Sequence, residues 1–130
     1  DLYRRIAAIR STEDAADLTD ELLDRYGDLP KSVTALLDVA LLRAAAGAVG
    51  ITDIAQRGDT LRFAFQVMEA ESVVKVCTLS KYRQRLRLAA GETPSLTLTL
   101  RKGEDVLKAA LEIVEDMKLS KEERRGKEEP

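Results

Sequence analysis

The residues best suited to chemistry are five acidic side chains that recur along one short stretch. They are Asp17, Asp20, Glu21, Asp24 and Asp28. Their spacing of three and four residues predicts that they point outward together from one face of a helix. Carboxylates can bind metals or transfer protons, but such sites also need ligands that face them, and the sequence contains no His. A solvated helix face and a protein-docking surface are therefore the favoured interpretations, and catalysis is the least favoured.

A second group of charged residues is basic and lies later in the chain. Its members are Lys81, Arg83, Arg85, Arg87, Arg101 and Lys102. Alternation along a strand would place Arg85 and Arg87 on one face of a sheet, where they could follow a phosphate backbone. Tyr82 is the one aromatic residue nearby that could stack on a base. A solvated sheet face is therefore favoured over nucleic-acid binding.

Other reactive residue types give little support for an enzyme. Cys77 is the single cysteine, and it falls on the apolar side of a predicted helix, which is typical of a small buried residue. Neither a GxGxxG nor a GxxxxGK motif occurs in the sequence, so nucleotide binding by this chain is unsupported.

The composition is that of one ordinary domain. The chain has 130 residues, with 21 basic and 23 acidic side chains and a formal net charge of -2. This length is typical of a single domain, and the near-neutral balance gives no overall field that would attract DNA or acidic lipid. No apolar run approaches the roughly 18 residues needed to span a bilayer. We expect a soluble cytoplasmic protein, cut from a longer chain.

Hydrophobic periodicity predicts three helices before residue 50. The first is short and covers residues 1–10, and the second begins at an N-cap at Thr12. The apolar face of the second comprises Ala15, Leu18, Leu22 and Tyr26. Gly27 suits the left-handed residue that follows a helix. The third helix, over residues 31–49, should form a hairpin with the second.

After residue 50 the hydrophobic period changes from 3.6 to 2. Strands are predicted near 51–57 and 60–66, joined by a turn at Gly58-Asp59. The remaining elements are a short helix near 70–80, whose valines leave a strand open, a second hairpin between 85 and 100, and a closing helix over 106–117.

The predicted fold class is α+β, with a helical hairpin and further helices packed on a small, mainly antiparallel four-stranded sheet. A two-stranded hairpin alone is marginal in water, so the four strands should form one sheet. Residues 119–130 are nearly all charged, which predicts a disordered tail behind a domain of residues 1–118. The order of the strands is not predicted.

One continuous stretch resembles a known family. Residues 21–30 read ELLDRYGDLP, and the pattern continues through Val33, Leu36, Leu37, Ala40, Leu42, Arg43, Ala46, Gly50 and Ile51. This string resembles the C-terminal domain of the bacterial transcription-repair coupling factor, Mfd. The resemblance is strongest over residues 12–54, and the later order of elements is compatible with it through about residue 118.

The resemblance implies a function that composition does not reveal. Proteins of this family are ATP-driven DNA translocases that push RNA polymerase off lesions and recruit the excision-repair protein UvrA. Their C-terminal domain is not the motor; it folds back on a UvrB-like N-terminal module and hides the UvrA-binding surface. The resemblance therefore implies a non-catalytic, autoinhibitory domain without a cofactor, while ATP, Mg²⁺, DNA and RNA polymerase are bound by other domains of the parent.

Within that function, the acidic helix is the expected partner-binding surface. Glu21 and Asp24, one turn apart, are the first candidates to pair with arginines of the N-terminal module, helped by Asp17, Asp20 and Asp28. The alternative is a nucleic-acid-binding accessory domain that uses the basic segment 81–102. An enzyme in its own right is the least favoured hypothesis.

Overall fold

Five α-helices and four β-strands make up the described part of the chain. A computed structural model describes the backbone of residues 2–128 and the side chains of residues 2–123. The chain divides into two units, a helical unit over Asp1–Ala45 and a sheet unit over Ala46–Pro130. Among the described helices, none is long and apolar enough to cross a membrane.

The helical unit is built from three helices that share one apolar core. They are α1 (Leu2–Ala7), α2 (Thr12–Tyr26) and most of α3 (Lys31–Ala48). The buried residues of this core are Ile6, Ile9, Ala15, Leu18, Leu22, Leu37 and Ala40. Because one cluster joins α2 to α3, the predicted helical hairpin is confirmed.

Both ends of α2 are fixed by local backbone chemistry. Ser11, rather than the predicted Thr12, is the N-cap, and its hydroxyl accepts the backbone N–H of Asp14 at 3.0 Å. A short polar side chain in this position satisfies an N–H group that has no partner within the helix. Gly27 ends the helix with φ of 71°, a left-handed conformation that glycine adopts without strain.

The prediction that Tyr26 belongs to the buried apolar face of α2 is wrong. Its side chain is 67% exposed, because it is the last residue of α2 and lies beyond the turn that Leu22 buries. The Arg25 guanidinium lies 5.8 Å from the centre of its ring.

The sheet unit contains one antiparallel four-stranded sheet in the order β1-β2-β4-β3. Its elements are β1 (Ile51–Arg57), β2 (Thr60–Phe65), α4 (Ala70–Cys77), a 3₁₀ turn (Ser80–Tyr82), β3 (Leu86–Ala89), β4 (Ser95–Thr99) and α5 (Val106–Glu128). Both predicted hairpins are present, and the pairing of β2 with β4 joins them into the single sheet that was expected.

The two faces of this sheet differ sharply in composition. On the inner face, Leu61 lies opposite Leu98, and Phe63 lies opposite Leu96, and all four side chains are buried. Helix α4 packs against α5, and these helices bury Val73, Val76, Ile113, Val114 and Met117. The opposite, outer face carries small and charged residues.

Helix α5 extends to Glu128, past residue 118 where the sequence predicts the start of a disordered tail. Ser120 is buried, the ammonium group of Lys121 donates to the Ala48 carbonyl at 3.0 Å, and Glu123 forms an ion pair with Lys75. These contacts give residues 120–123 partners within the sheet unit, and the described part of the segment is helical rather than irregular. Residues 129 and 130 lie outside the described residues.

Candidate functional site

The acidic residues predicted as the partner surface are all exposed. Ala15, Leu18 and Leu22 are buried in the core of the helical unit, which turns the opposite side of α2 to solvent. Asp17, Asp20, Glu21 and Asp24 lie on the helix, whereas Asp28 lies in the turn that follows Tyr26. The structure therefore brings four of the five carboxylates together along α2 and leaves Asp28 at its end.

Glu21 already has a partner within the helical unit. Its carboxylate forms an ion pair with the Arg5 guanidinium of α1, and the two side chains are 44% and 48% exposed. The hydrogen bond from Arg5 lowers the pKa of Glu21 below its ordinary value of 4.5, with a smaller contribution from the positive charge of Arg25. Glu21 is therefore ionised at neutral pH and bound to Arg5.

Asp24 differs from Glu21 in this respect. It lies one turn further along α2, is exposed, and makes no ion pair or side-chain hydrogen bond with any residue that the structure describes. An external cation therefore meets Asp24 directly, whereas at Glu21 it competes with Arg5.

An open groove runs between α1 and α2, beside these carboxylates. Its volume is about 370 Å³, and it is lined by Arg5, Ala8, Ile9, Asp14, Asp17, Leu18 and Glu21. Asp14 accepts the backbone N–H of Arg10 at 3.1 Å, so it is engaged in the start of the helix. With three carboxylates against one guanidinium, the groove favours a positively charged side chain.

The acidic face does not form a metal site. Within the described residues, no group of three or more carboxylate or thiol ligands converges in a geometry that could hold a metal ion. Carboxylates on successive turns of one exposed helix diverge into solvent, which suits docking better than coordination.

The basic segment 81–102 is not one continuous cationic surface. Lys81 pairs with Glu112 at 3.0 Å and with Asp116 at 2.9 Å, and Arg85 pairs with Glu104. Arg85 precedes strand β3, and its side chain is only 14% exposed. Arg85 bonds to Thr99 and Arg87 lies opposite Thr97, as predicted for two arginines on one sheet face, but Glu104 holds the Arg85 guanidinium.

Two reactive side chains near this segment are structural. Tyr82 is 3% exposed, and its hydroxyl donates to the Asp116 carboxylate. Burial, followed by this hydrogen bond, raises the pKa of Tyr82 far above its ordinary value of 10.0. Cys77 is partly buried rather than fully buried, and burial raises the pKa of its thiol, which makes it a poor nucleophile at neutral pH.

Comparison with solved structures defines the class of this fold. The chain superposes on a crystal structure of the C-terminal domain of a transcription-repair coupling factor with a TM-score of 0.75. The match covers 94% of this chain and 80% of the other, at 20% sequence identity. The α+β arrangement described above is thus the fold of that domain.

Sequence comparison gives the family. The family model for the TRCF domain matches residues 1–76, which is more than half of the 130 residues. The chain therefore belongs to the transcription-repair coupling factor family.

Individual relatives match over shorter stretches. The transcription-repair-coupling factor of Mycobacterium bovis is 48% identical over 52 residues, which is 40% of this chain and 4% of the relative. The Escherichia coli protein is 36% identical over 64 residues, or 48% of this chain and 6% of the relative. The Staphylococcus aureus USA300 protein is 29% identical over 73 residues, or 56% of this chain and 6% of the relative. The chain thus matches a small part of much longer proteins.

Proposed function

We propose that this chain is a non-catalytic, autoinhibitory interaction domain of a transcription-repair coupling factor. In this proposal, the acidic face of α2 docks on the UvrB-like N-terminal module of the same polypeptide and masks its UvrA-binding surface. The motor activity, ATP and Mg²⁺ belong to other domains of the parent, as do the contacts with DNA and RNA polymerase. Family membership and the exposure of the acidic residues support this function.

The observation that carries the proposal is a set of like charges of which only Glu21 has an ion-pair partner among the described residues. Asp17 and Glu21, like Asp20 and Asp24, are four residues apart on α2. Such like-charge pairs destabilise a helix by about 0.2 to 0.5 kcal/mol each. Arg5 neutralises Glu21, but the other carboxylates on this face form no ion pair with any residue that the structure describes. A cationic partner outside the unit would provide it.

Each contact of the proposed docking surface contributes little binding free energy. Weak contacts allow the mask to open reversibly. One exposed ion pair contributes only about 0 to 1 kcal/mol, so several are needed. Because the module is part of the same polypeptide, its effective concentration is on the order of 1 mM. A docking Kd of about 0.1 mM would then favour the closed state about tenfold. A ligand that prefers the open state can still shift that equilibrium.

The test is a double charge reversal, Glu21→Lys with Asp24→Lys, in the full-length parent protein. We expect tighter binding of UvrA, because repulsion opens the mask, while circular dichroism and the melting temperature stay close to wild type. The matched control is Asp59→Lys with Glu92→Lys, which makes the same change in charge at two exposed residues of the sheet unit. Unchanged UvrA binding in the first variant, or an equal gain in the control, would refute the acidic face as the docking surface.

A further inference from the structure

The outer face of the sheet carries a second charged surface, which is basic. The strand register places Ala55, Arg62, Thr97 and Arg87 in one row across all four strands. The next row contains Arg57, Thr60 and Thr99. Residues directly opposite each other in antiparallel strands share a face, so three arginines project from the same side of the sheet.

These three arginines are not committed to the fold. Arg57, Arg62 and Arg87 are all exposed, and within the described residues their guanidinium groups make no hydrogen bond or ion pair. Arg62 and Arg87 both lie opposite the neutral Thr97 rather than a carboxylate. Asp53 is the one acidic residue in the strands of this face, so the surface is positive overall.

Between the arginines lie small residues with hydroxyl groups. Thr97 and Thr99 make no side-chain hydrogen bond with any described residue, so their hydroxyls are available as donors. Arg62 and Arg87 are separated by one intervening strand, which places their backbones roughly 10 Å apart. Flexible arginine stems can therefore reach neighbouring groups of one extended anion, with the threonine hydroxyl between them.

The same surface lacks the features of a protein-docking patch. The large hydrophobic residues exposed in the described chain, such as Tyr3, Leu23, Tyr26, Val67 and Leu88, do not belong to these rows. Protein interfaces depend on aromatic and aliphatic anchors, and none is present here. Single-stranded nucleic acid is usually bound by aromatic stacking, for which the rows also offer no side chain.

We propose that the outer face of the sheet binds the phosphodiester backbone of duplex DNA through Arg57, Arg62 and Arg87. Arginine and threonine side chains on this exposed sheet face are charged and neutral donors, and the phosphates of a polyanion accept hydrogen bonds from both. The surface differs from the basic residues of segment 81–102, since Arg87 is the one arginine that belongs to both, and it includes no residue of α2.

The test is the salt dependence of binding of the 130-residue chain to a short fluorescent DNA duplex, followed by anisotropy. Three phosphate contacts predict that affinity falls about 40-fold between about 50 and 200 mM salt. The triple variant Arg57→Gln, Arg62→Gln, Arg87→Gln should lose at least about tenfold in affinity at low salt and nearly all of the salt dependence. The matched control, Arg4→Gln, Lys31→Gln, Arg43→Gln, removes the same charge from exposed helical residues and should bind as wild type does.

Four results would overturn the proposal. The first is absence of DNA binding at low salt, and the second is an equal loss of DNA affinity in the control variant. The third is competition by poly-glutamate as strong as that by duplex DNA at equal charge. The fourth is a tenfold preference for single-stranded DNA over duplex DNA. The third would identify an acidic protein as the occupant, and the fourth would point to base contacts.

Discussion

Arg5 divides the acidic residues of α2 into two kinds. The Glu21 carboxylate forms an ion pair with the Arg5 guanidinium, whereas the Asp24 carboxylate remains available to an external cation. The sequence predicts Glu21 and Asp24 as an equivalent pair, because helical spacing is the only relation visible between them. Arg5 lies on a different helix, and no spacing rule connects it to Glu21. The asymmetry between the two carboxylates therefore depends on the packing of α1 against α2.

Arg5→Gln should raise the pKa of Glu21 toward its ordinary value of 4.5, as measured by NMR titration of the side-chain carboxyl. The pKa of Glu21 is lower in the folded chain than in the unfolded chain. The ion pair therefore contributes its full stability above the ordinary pKa of 4.5, and this contribution is lost as pH falls through the pKa of the folded chain. Arg25→Gln is the control and should shift the Glu21 pKa less, because Arg25 is the smaller contributor. Equal shifts in the two variants would contradict the Arg5–Glu21 pair.

Tyr82 should make the fold sensitive to alkaline pH. Its pKa is raised above 10.0 in the fold, so above that pH the unfolded chain loses a proton that the folded chain keeps. One such proton lowers the free energy of unfolding by about 1.4 kcal/mol per pH unit. Urea denaturation should show this decline in wild type and a shallower one in Tyr82→Phe.

The remaining alkaline decline in Tyr82→Phe is assigned to Lys81, whose pKa is raised by Asp116 and then Glu112, and to Cys77, whose thiol pKa is raised by burial. Tyr82→Phe should also cost about 1 kcal/mol at neutral pH, since the hydrogen bond to Asp116 is lost. Tyr3→Phe, at a side chain that is 69% exposed, is the control. An identical pH slope in wild type and Tyr82→Phe would show that the phenol ionises freely in the fold.

Most elements of this fold could be predicted from their hydrophobic period. The alternation of Leu61, Phe63 and Phe65 gave a strand near 60–66, and the structure has Thr60–Phe65. The charged end of α5 could not be predicted in this way, since it has no apolar stripe. Its partners are distant in sequence: Lys75 and Glu123 are 48 residues apart. Hydrophobic periodicity predicts a helix or strand that buries an apolar face. It does not predict a helix that is stabilised by ion pairs with residues distant in sequence.

Truncation tests whether the end of α5 contributes to the fold. A chain ending at Lys118 loses the buried Ser120 and the hydrogen bond from Lys121 to Ala48. We expect its free energy of unfolding to fall by about 1 to 2 kcal/mol. A chain that ends at Glu123 keeps these contacts and is the control. If both chains unfold at the same urea concentration, residues 119–123 add nothing to stability.

At the scale of the whole chain, the α+β class could be predicted, but the arrangement of its strands could not. Local turn signals define the β1–β2 and β3–β4 hairpins, whereas the pairing of Leu61 with Leu98 joins segments distant in sequence. The candidate site shows a similar division. The exposure of the acidic residues follows from the helix period. The difference between Glu21 and Asp24, and the arginine rows on the sheet, depend on contacts between elements and could not be predicted.

Docking of the acidic face of α2 is tested most directly by binding in trans between the 130-residue chain and the UvrB-like N-terminal module, measured by calorimetry. We expect a Kd on the order of 0.1 mM that rises with salt concentration. Asp24→Lys should weaken binding about tenfold, which is about 1.4 kcal/mol, and Glu21→Lys should weaken it less, because Arg5 already occupies Glu21. Wild-type affinity in Asp24→Lys, or a Kd that does not change with salt, would contradict docking through the acidic face of α2.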